Sequence, residues 1–206
     1  MSKNISSQAK PNYWADIIPN HSAAGYKLGM NFHVFMWNIA DNFIEVDDLY
    51  SCINQYKDIW LLNYFSNEFF PDTKNLSWNN TVILRFNQNN QLYAIFLRNG
   101  YQGTLFSQIA IGYNIDKMIE NFYPIFYADV YFLAEKSQNK AIIKGYIQCH
   151  HLFELDIDNI FDVMSIIDEI KDIHIIDGVE IKTNYLTKYC EQYSDQIVQE
   201  IVVFKK

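Results

Sequence analysis

Reactive chemistry is what this sequence has least of. Only 7 of its 206 residues are glycine, and neither G-x-G-x-x-G nor G-x-x-x-x-G-K-[ST] can be written through Gly29 or Gly112, so a phosphate cradle has little material. The three cysteines, Cys52, Cys149 and Cys190, are odd in number and far apart, which excludes a disulfide framework or a zinc ribbon. No Asp-His-Ser or Cys-His spacing fits a nucleophile elbow. An EF-hand loop and a sequence-defined glycosidase pair are likewise missing. Cys149, His150 and His151 are adjacent, and neighbours in an extended segment point to opposite faces, so they read as a strand end rather than a zinc site. The chain is therefore expected to be no enzyme and to carry neither metal nor cofactor.

Positive charge is also in short supply. Lys and Arg number 16 against 24 Asp and Glu, for a net charge of -8 and a pI near 5.0. Binding to nucleic acid or to an anionic membrane depends on Lys and Arg, so the better match is a basic partner. No run approaches the ~20 apolar residues that span a bilayer. The segment Met1 to Pro11 lacks the apolar stretch of a secretory signal, and the expected residence is cytoplasmic.

What is abundant is hydrophobic and aromatic. Half of the chain is hydrophobic and 17% is aromatic, enough for a core without disulfides or metals. Residues 1–12 read as a flexible leader and 13–206 as one α+β domain. The step Leu28-Gly29-Met30-Asn31-Phe32 returns as Ile111-Gly112-Tyr113-Asn114-Ile115. Each glycine suits a backbone turn, and each asparagine suits a helix cap, because its side-chain oxygen can accept a first-turn N–H. The expected helices run from Phe32 to about Asp41 and from Ile115 to about Phe122, with Pro124 as the stop.

Strands are expected at Ile59–Phe65, then as a hairpin of Thr81–Phe86 and Leu92–Leu97 about Asn87-Gln88-Asn89-Asn90. A second hairpin is expected from Phe126–Leu133 and Ala141–Ile147. Helix followed by hairpin thus occurs twice, in pseudo-repeat units of about 22–100 and 101–150, and an acidic helix and strands fill 151–206. The expected architecture is a mainly antiparallel sheet with helices packed on one face. Asp177-Gly178 reads as a turn before Val179-Glu180-Ile181. A short helix near Tyr185–Tyr193 and a strand over Ile197–Phe204 finish the chain.

Two features suggest binding. On the helix after Asp158, the residues Asp158, Asp162, Ser165, Glu169 and Asp172 recur at four- and three-residue steps and form one stripe. Such a stripe is either a solvated face or a docking surface for a basic protein. Exposed aromatics are the other element, because Tyr and Trp give large contact area at small entropic cost. Trp60, Tyr64, Trp78, Tyr101, Tyr123 and Tyr127 are candidates for exposure or core. The residues assigned to partner binding are Asp158, Asp162, Glu169, Asp172, Trp60 and Tyr64.

The phrase Ile18-Pro19-Asn20-His21-Ser22-Ala23-Ala24-Gly25-Tyr26-Lys27-Leu28-Gly29 resembles the opening of small bacterial immunity proteins, the antidotes to contact-dependent or type VI secreted toxins. Ala24 stands where a second glycine is common. Tandem helix-plus-hairpin units are also similar to those of β-lactamase inhibitory proteins and of a small outer-membrane assembly lipoprotein, whose signal and cysteine this chain lacks. The resemblance implies a cytoplasmic protein that neutralises a cognate, basic toxin domain by direct contact. The alternative is a small-molecule or envelope-stress binding domain with an aromatic-lined pocket.

Overall fold

The first helix begins where the capping argument places it. The Asn31 side-chain oxygen accepts the N–H groups of His33 (2.9 Å) and Val34 (3.3 Å), and helix α1 runs Phe32–Ile39. Phe32, Phe35 and Ile39 recur on one face and are buried, as helical spacing requires. Ala40 ends the helix at φ 47°, its N–H donating to the Met36 carbonyl. The computed structural model describes residues 9–67, 71–114, 122–127, 130–135, 179–183 and 197–205.

Ahead of α1, strands β1 (Ser22–Ala23) and β2 (Tyr26–Lys27) pair about Ala24 and Gly25, both at positive φ. After it come β3 (Phe43–Glu45), the short helix α2 (Leu49–Cys52) and β4 (Trp60–Phe65), with β3 and β4 parallel. The chain continues through β5 (Thr73–Trp78), β6 (Val82–Phe86), β7 (Leu92–Leu97), β8 (Phe122–Tyr127), β9 (Val130–Glu135), β10 (Val179–Thr183) and β11 (Val198–Phe204). Among the described residues, nine strands form one sheet in the order β3-β4-β5-β6-β7-β11-β10-β9-β8. Every pairing in it except β3 with β4 is antiparallel. This is a mixed α/β fold dominated by antiparallel sheet. No helix in the described residues is long and apolar enough to cross a membrane.

Strand alternation gives the sheet two unlike faces. On one, Trp60, Leu62, Leu76, Leu84, Phe86 and Ile95 pack beneath α1. Edge-to-face rings fill this layer: Phe35 meets Trp60 at 5.2 Å, Trp60 meets Trp78 at 5.2 Å, and Phe32 meets Phe86 at 5.3 Å. On the other face Leu61 and Ile83 pack against Leu49 and Ile53, which places α2 there. The expectation of helices on one face is thus corrected, because Leu61 and Ile83 give the reverse side its own apolar patch for α2 to cover.

The N-terminal segment is stitched to the end of the β6–β7 hairpin. The Tyr101 hydroxyl donates to the Ala15 carbonyl and accepts the Ala24 N–H at 3.1 Å. Gly103 passes so close that an added Cβ would lie 2.0 Å from the Ala15 carbonyl oxygen. Residues 9–12, expected within a loose leader, make defined contacts: the Trp60 indole donates to the Ala9 carbonyl at 3.0 Å, and Lys10 lies 5.7 Å from the Trp78 ring centre.

The two Gly-x-Asn steps occupy matching positions. Gly29 and Gly112 both have φ of 84°. Gly29 donates to the Leu92 carbonyl (2.7 Å) and Leu92 to that of Met30 (2.8 Å); Gly112 donates to Val198 (2.8 Å) and Val198 to Tyr113 (2.9 Å). The helix expected from Ile115 lies outside the described residues, as do the return strand 141–147, the acidic helix and the helix near 185–193. The strand expected over Phe126–Leu133 is corrected to two, β8 and β9, with Tyr127 opposite Val130. Pro124, expected to stop a helix, lies inside β8, at the edge of the sheet among the described residues, a position where proline's missing N–H is tolerated.

Candidate functional site

The end of β4 changes character within six residues. Trp60, Leu61, Leu62 and Asn63 are buried, whereas Tyr64 is 56% and Phe65 45% exposed. Trp60, assigned from sequence to partner binding, is 0% exposed. That assignment is corrected: Phe35, Tyr26 and Trp78 enclose its ring, so it offers no surface. Trp78 and Tyr101 are also core residues. Among the described residues of the set, Tyr64 reaches solvent. Asp158, Asp162, Glu169 and Asp172 lie outside the described residues, as do Cys149, His150 and His151.

Asn63 organises what surrounds Tyr64. Its amide nitrogen donates to the Val46 carbonyl (3.2 Å) and the Asp47 carbonyl (2.7 Å), fixing the loop between β3 and α2 against β4. That loop presents Asp47 and Asp48 to solvent. The Asp48 carboxylate accepts the Tyr50 N–H at 2.9 Å, capping α2 and holding Tyr50, itself 71% exposed, at the same rim. The Tyr64 pKa is raised first by burial and then by the neighbouring Glu45 carboxylate.

Asp47, Asp48, Tyr50, Tyr64 and Phe65 border a hollow of about 480 Å³. Its floor is polar. The Arg85 Nε donates to the Asn75 side-chain oxygen at 2.8 Å, with its guanidinium 4.5 Å from the Phe96 ring centre. Arg98 forms an ion pair with Glu200 and donates to the Asn80 side-chain oxygen at 2.9 Å. A second hollow of about 400 Å³ lies across Tyr64 and Phe65, bordered by Asp72, Thr73, Lys74 and Gln88. Tyr64 and Phe65 border both hollows, and alternation turns them to opposite faces of β4, so the end of the strand stands as a ridge between two depressions.

Chemically, the arrangement presents rings, carboxylates and anchored guanidinium groups, a combination suited to binding. Among the described residues, no three His, Cys, Asp or Glu converge as metal ligands would. Sequence reasoning missed Asp47, Asp48, Tyr50 and Phe65. The available signal was the Asp47-Asp48-Leu49-Tyr50 run, an acidic and aromatic loop directly ahead of the β4 pattern. No protein family, curated protein or solved structure matches the chain.

Proposed function

We propose that this chain is an immunity protein that binds a cognate secreted bacterial toxin in the cytoplasm and neutralises it by direct contact. The observation that carries the reading is the Tyr64–Phe65 ridge with its acidic border. Solvent-facing aromatics on a rigid strand give contact area at little entropic cost. A net charge of -8 favours encounter with a basic partner. The resemblance of residues 18–29 to immunity-protein openings supports the same class.

The tandem character belongs to this reading in altered form. Among the described residues, β4-β5-β6-β7 and β8-β9-β10-β11 are both laid out as four-strand antiparallel meanders, joined along β7 and β11. Val82–Arg85 pair with Leu97–Ala94 before a register shift between Arg85 and Phe86. Val179–Lys182 pair with Val203–Glu200 before a shift between Lys182 and Thr183. Shared register, shared bulge position and the matching Gly29 and Gly112 bonds support two related units, the second reaching to β11.

The test is co-expression with the product of the adjacent gene. A stable complex, with loss of the toxic activity, is the expected result; a neighbour with no toxic domain and no complex would sink the reading. The hollow of about 480 Å³ favours a second reading, a small-molecule binding domain, because that volume lies within the usual range for ligand sites. A ligand that co-purifies with the protein and raises its melting temperature would favour this alternative.

A further inference from the structure

We infer that the Tyr64–Phe65 ridge is the docking site for an extended basic segment of the partner protein, with a Lys or Arg side chain held at the rim by Asp47, Asp48, Tyr50 and Tyr64. This deepens the reading of the chain as a toxin-binding protein and rests on it for the partner's identity.

The two meanders show where the ridge comes from. Ile95 pairs with Val203 and Ile201 with Leu97, so exchanging β7 for β11 sends Ile95 to Ile201. Leu84 then corresponds to Ile181, Leu76 to Tyr131 and Leu62 to Phe126. One pair further, Asn63 with Asn75 corresponds to Tyr127 with Val130, the last pair of the second meander among the described residues. The first meander continues with Tyr64 opposite Lys74 and Phe65 opposite Thr73. Shared register maintains the common sheet, whereas these added pairs carry two exposed aromatics and separate two hollows. These rings at the strand extension are left about half exposed in the described fold, Tyr64 at 56% and Phe65 at 45%, and an external partner gives them something to cover.

Charge selects the occupant. Glu45, Asp47, Asp48 and Asp72 are exposed around the ridge. Of the cations nearby, Lys74 donates to the Asp72 carbonyl and lies 5.6 Å from the Phe32 ring centre. Arg85 is drawn down onto Phe96 and Asn75, and Arg98 onto Glu200. Carboxylates thus stand at the mouth while guanidinium groups are held at the floor. An incoming cation is attracted to the rim, where ring faces add to the attraction, and is repelled from the depth. An acidic segment would meet the carboxylates first.

The full-length protein can be titrated with an acetylated, amidated Arg-Gly hexapeptide and with its Glu-Gly counterpart, while backbone amide shifts are recorded. Binding of the Arg peptide, with shifts confined to residues 45–50, 63–65 and 72–75, is expected. The D47N/D48N double variant and Tyr64→Ala should each weaken it by about tenfold. Trp37→Ala, at an 86% exposed tryptophan on α1, should leave it unchanged. Equal response to both peptides, no response at the ridge, or indifference to the ridge variants would overturn the inference. Folding of each variant is checked by its unperturbed amide spectrum elsewhere, and Tyr64→Phe supplies a variant that keeps the ring. With the adjacent gene product, a complex unaffected by ridge variants removes the site but leaves the toxin-binding reading. Peptide docking without any toxin complex removes that reading but leaves the site.

Discussion

Phe96 on β7 and Val202 on β11 face each other at the one register position of that seam where exchanging the two strands returns the same pair. On either side the partners swap roles: Ile95 opposes Val203, and Leu97 opposes Ile201. The seam joins the two meanders through the buried side chains of Ala94, Ile95, Leu97, Ile201, Val202 and Val203, with Phe96 and Phe204 half-buried. Stability of the sheet therefore depends on matched positions at some distance from the ridge, and the two can be altered separately.

Gly29→Ala and Gly112→Ala should each cost about 1 kcal/mol, because an L-residue at φ of 84° is strained whatever the space around it. Space is not the obstacle. The nearest atom to a Gly29 Cβ is Lys205 Nζ at 3.9 Å, and nothing lies within 4 Å at Gly112. Urea unfolding of the single and double variants should give additive losses. A loss at one site alone would mean that the two turns are not equivalent.

Tyr101→Phe removes the hydroxyl that bonds Ala15 and Ala24, leaving a buried N–H without its acceptor, and should cost about 1–3 kcal/mol. The same residue predicts alkaline sensitivity. Burial pushes its pKa up to about 12, with the Ala24 N–H opposing and Asp16 adding to the rise. A raised folded-state value means that the folded protein holds the proton longer than the unfolded chain. Stability is thus full below pH 10 and falls as pH rises from 10 toward 12. Tyr26, raised by burial and by Tyr13, adds in the same direction. Unfolding curves across that range should show a shallower decline in Tyr101→Phe than in the parent.

Asn63→Leu tests whether the rim is held in advance. Both bonds to the β3–α2 loop are lost, at about 1–2 kcal/mol of stability, and two carbonyl groups lose their donor. Amide exchange at residues 46–50 should quicken while exchange in β6 and β7 stays slow. Uniform acceleration through the sheet would show that Asn63 supports the core and not the loop.

Glu200→Ala should destabilise by about 1–3 kcal/mol, since Arg98 loses its carboxylate partner at a site where the side chains are 25% and 8% exposed. Adding Arg98→Ala should recover part of the loss, because the remaining cation is then removed as well. A double variant as unstable as the sum of its parts would show that the pair is not coupled. Moderate salt should change the parent's stability little, as the buried carboxylate is poorly screened.

Several elements were legible from neighbours in sequence. Asn31 capping, the β6–β7 hairpin around Asn87–Asn90 and the closing strand at Val198–Phe204 all follow from local turn chemistry or apolar runs. β5 escaped because Thr73-Lys74-Asn75-Leu76-Ser77-Trp78 reads as mostly polar, yet Asn75 and Ser77 are buried between β4 and β6. Pro124 read as a helix stop because its place at the sheet edge depends on β9. The ridge was legible only in Tyr64; its acidic rim depends on the side chain of Asn63 reaching back to residues 46 and 47.

Trp60 and Tyr64 mark where sequence stops and tertiary structure begins. Both lie on β4 four residues apart, so alternation places them on the same face, and sequence alone determined that much: a strand, its periodicity and a scarcity of reactive groups around it. The fold then gave them opposite fates. α1, β2 and the segment near Ala9 close over Trp60, while β4 carries Tyr64 past that cover into solvent. Strand geometry is a local property of the chain, but burial is decided by whatever long-range contact brings opposite each side chain.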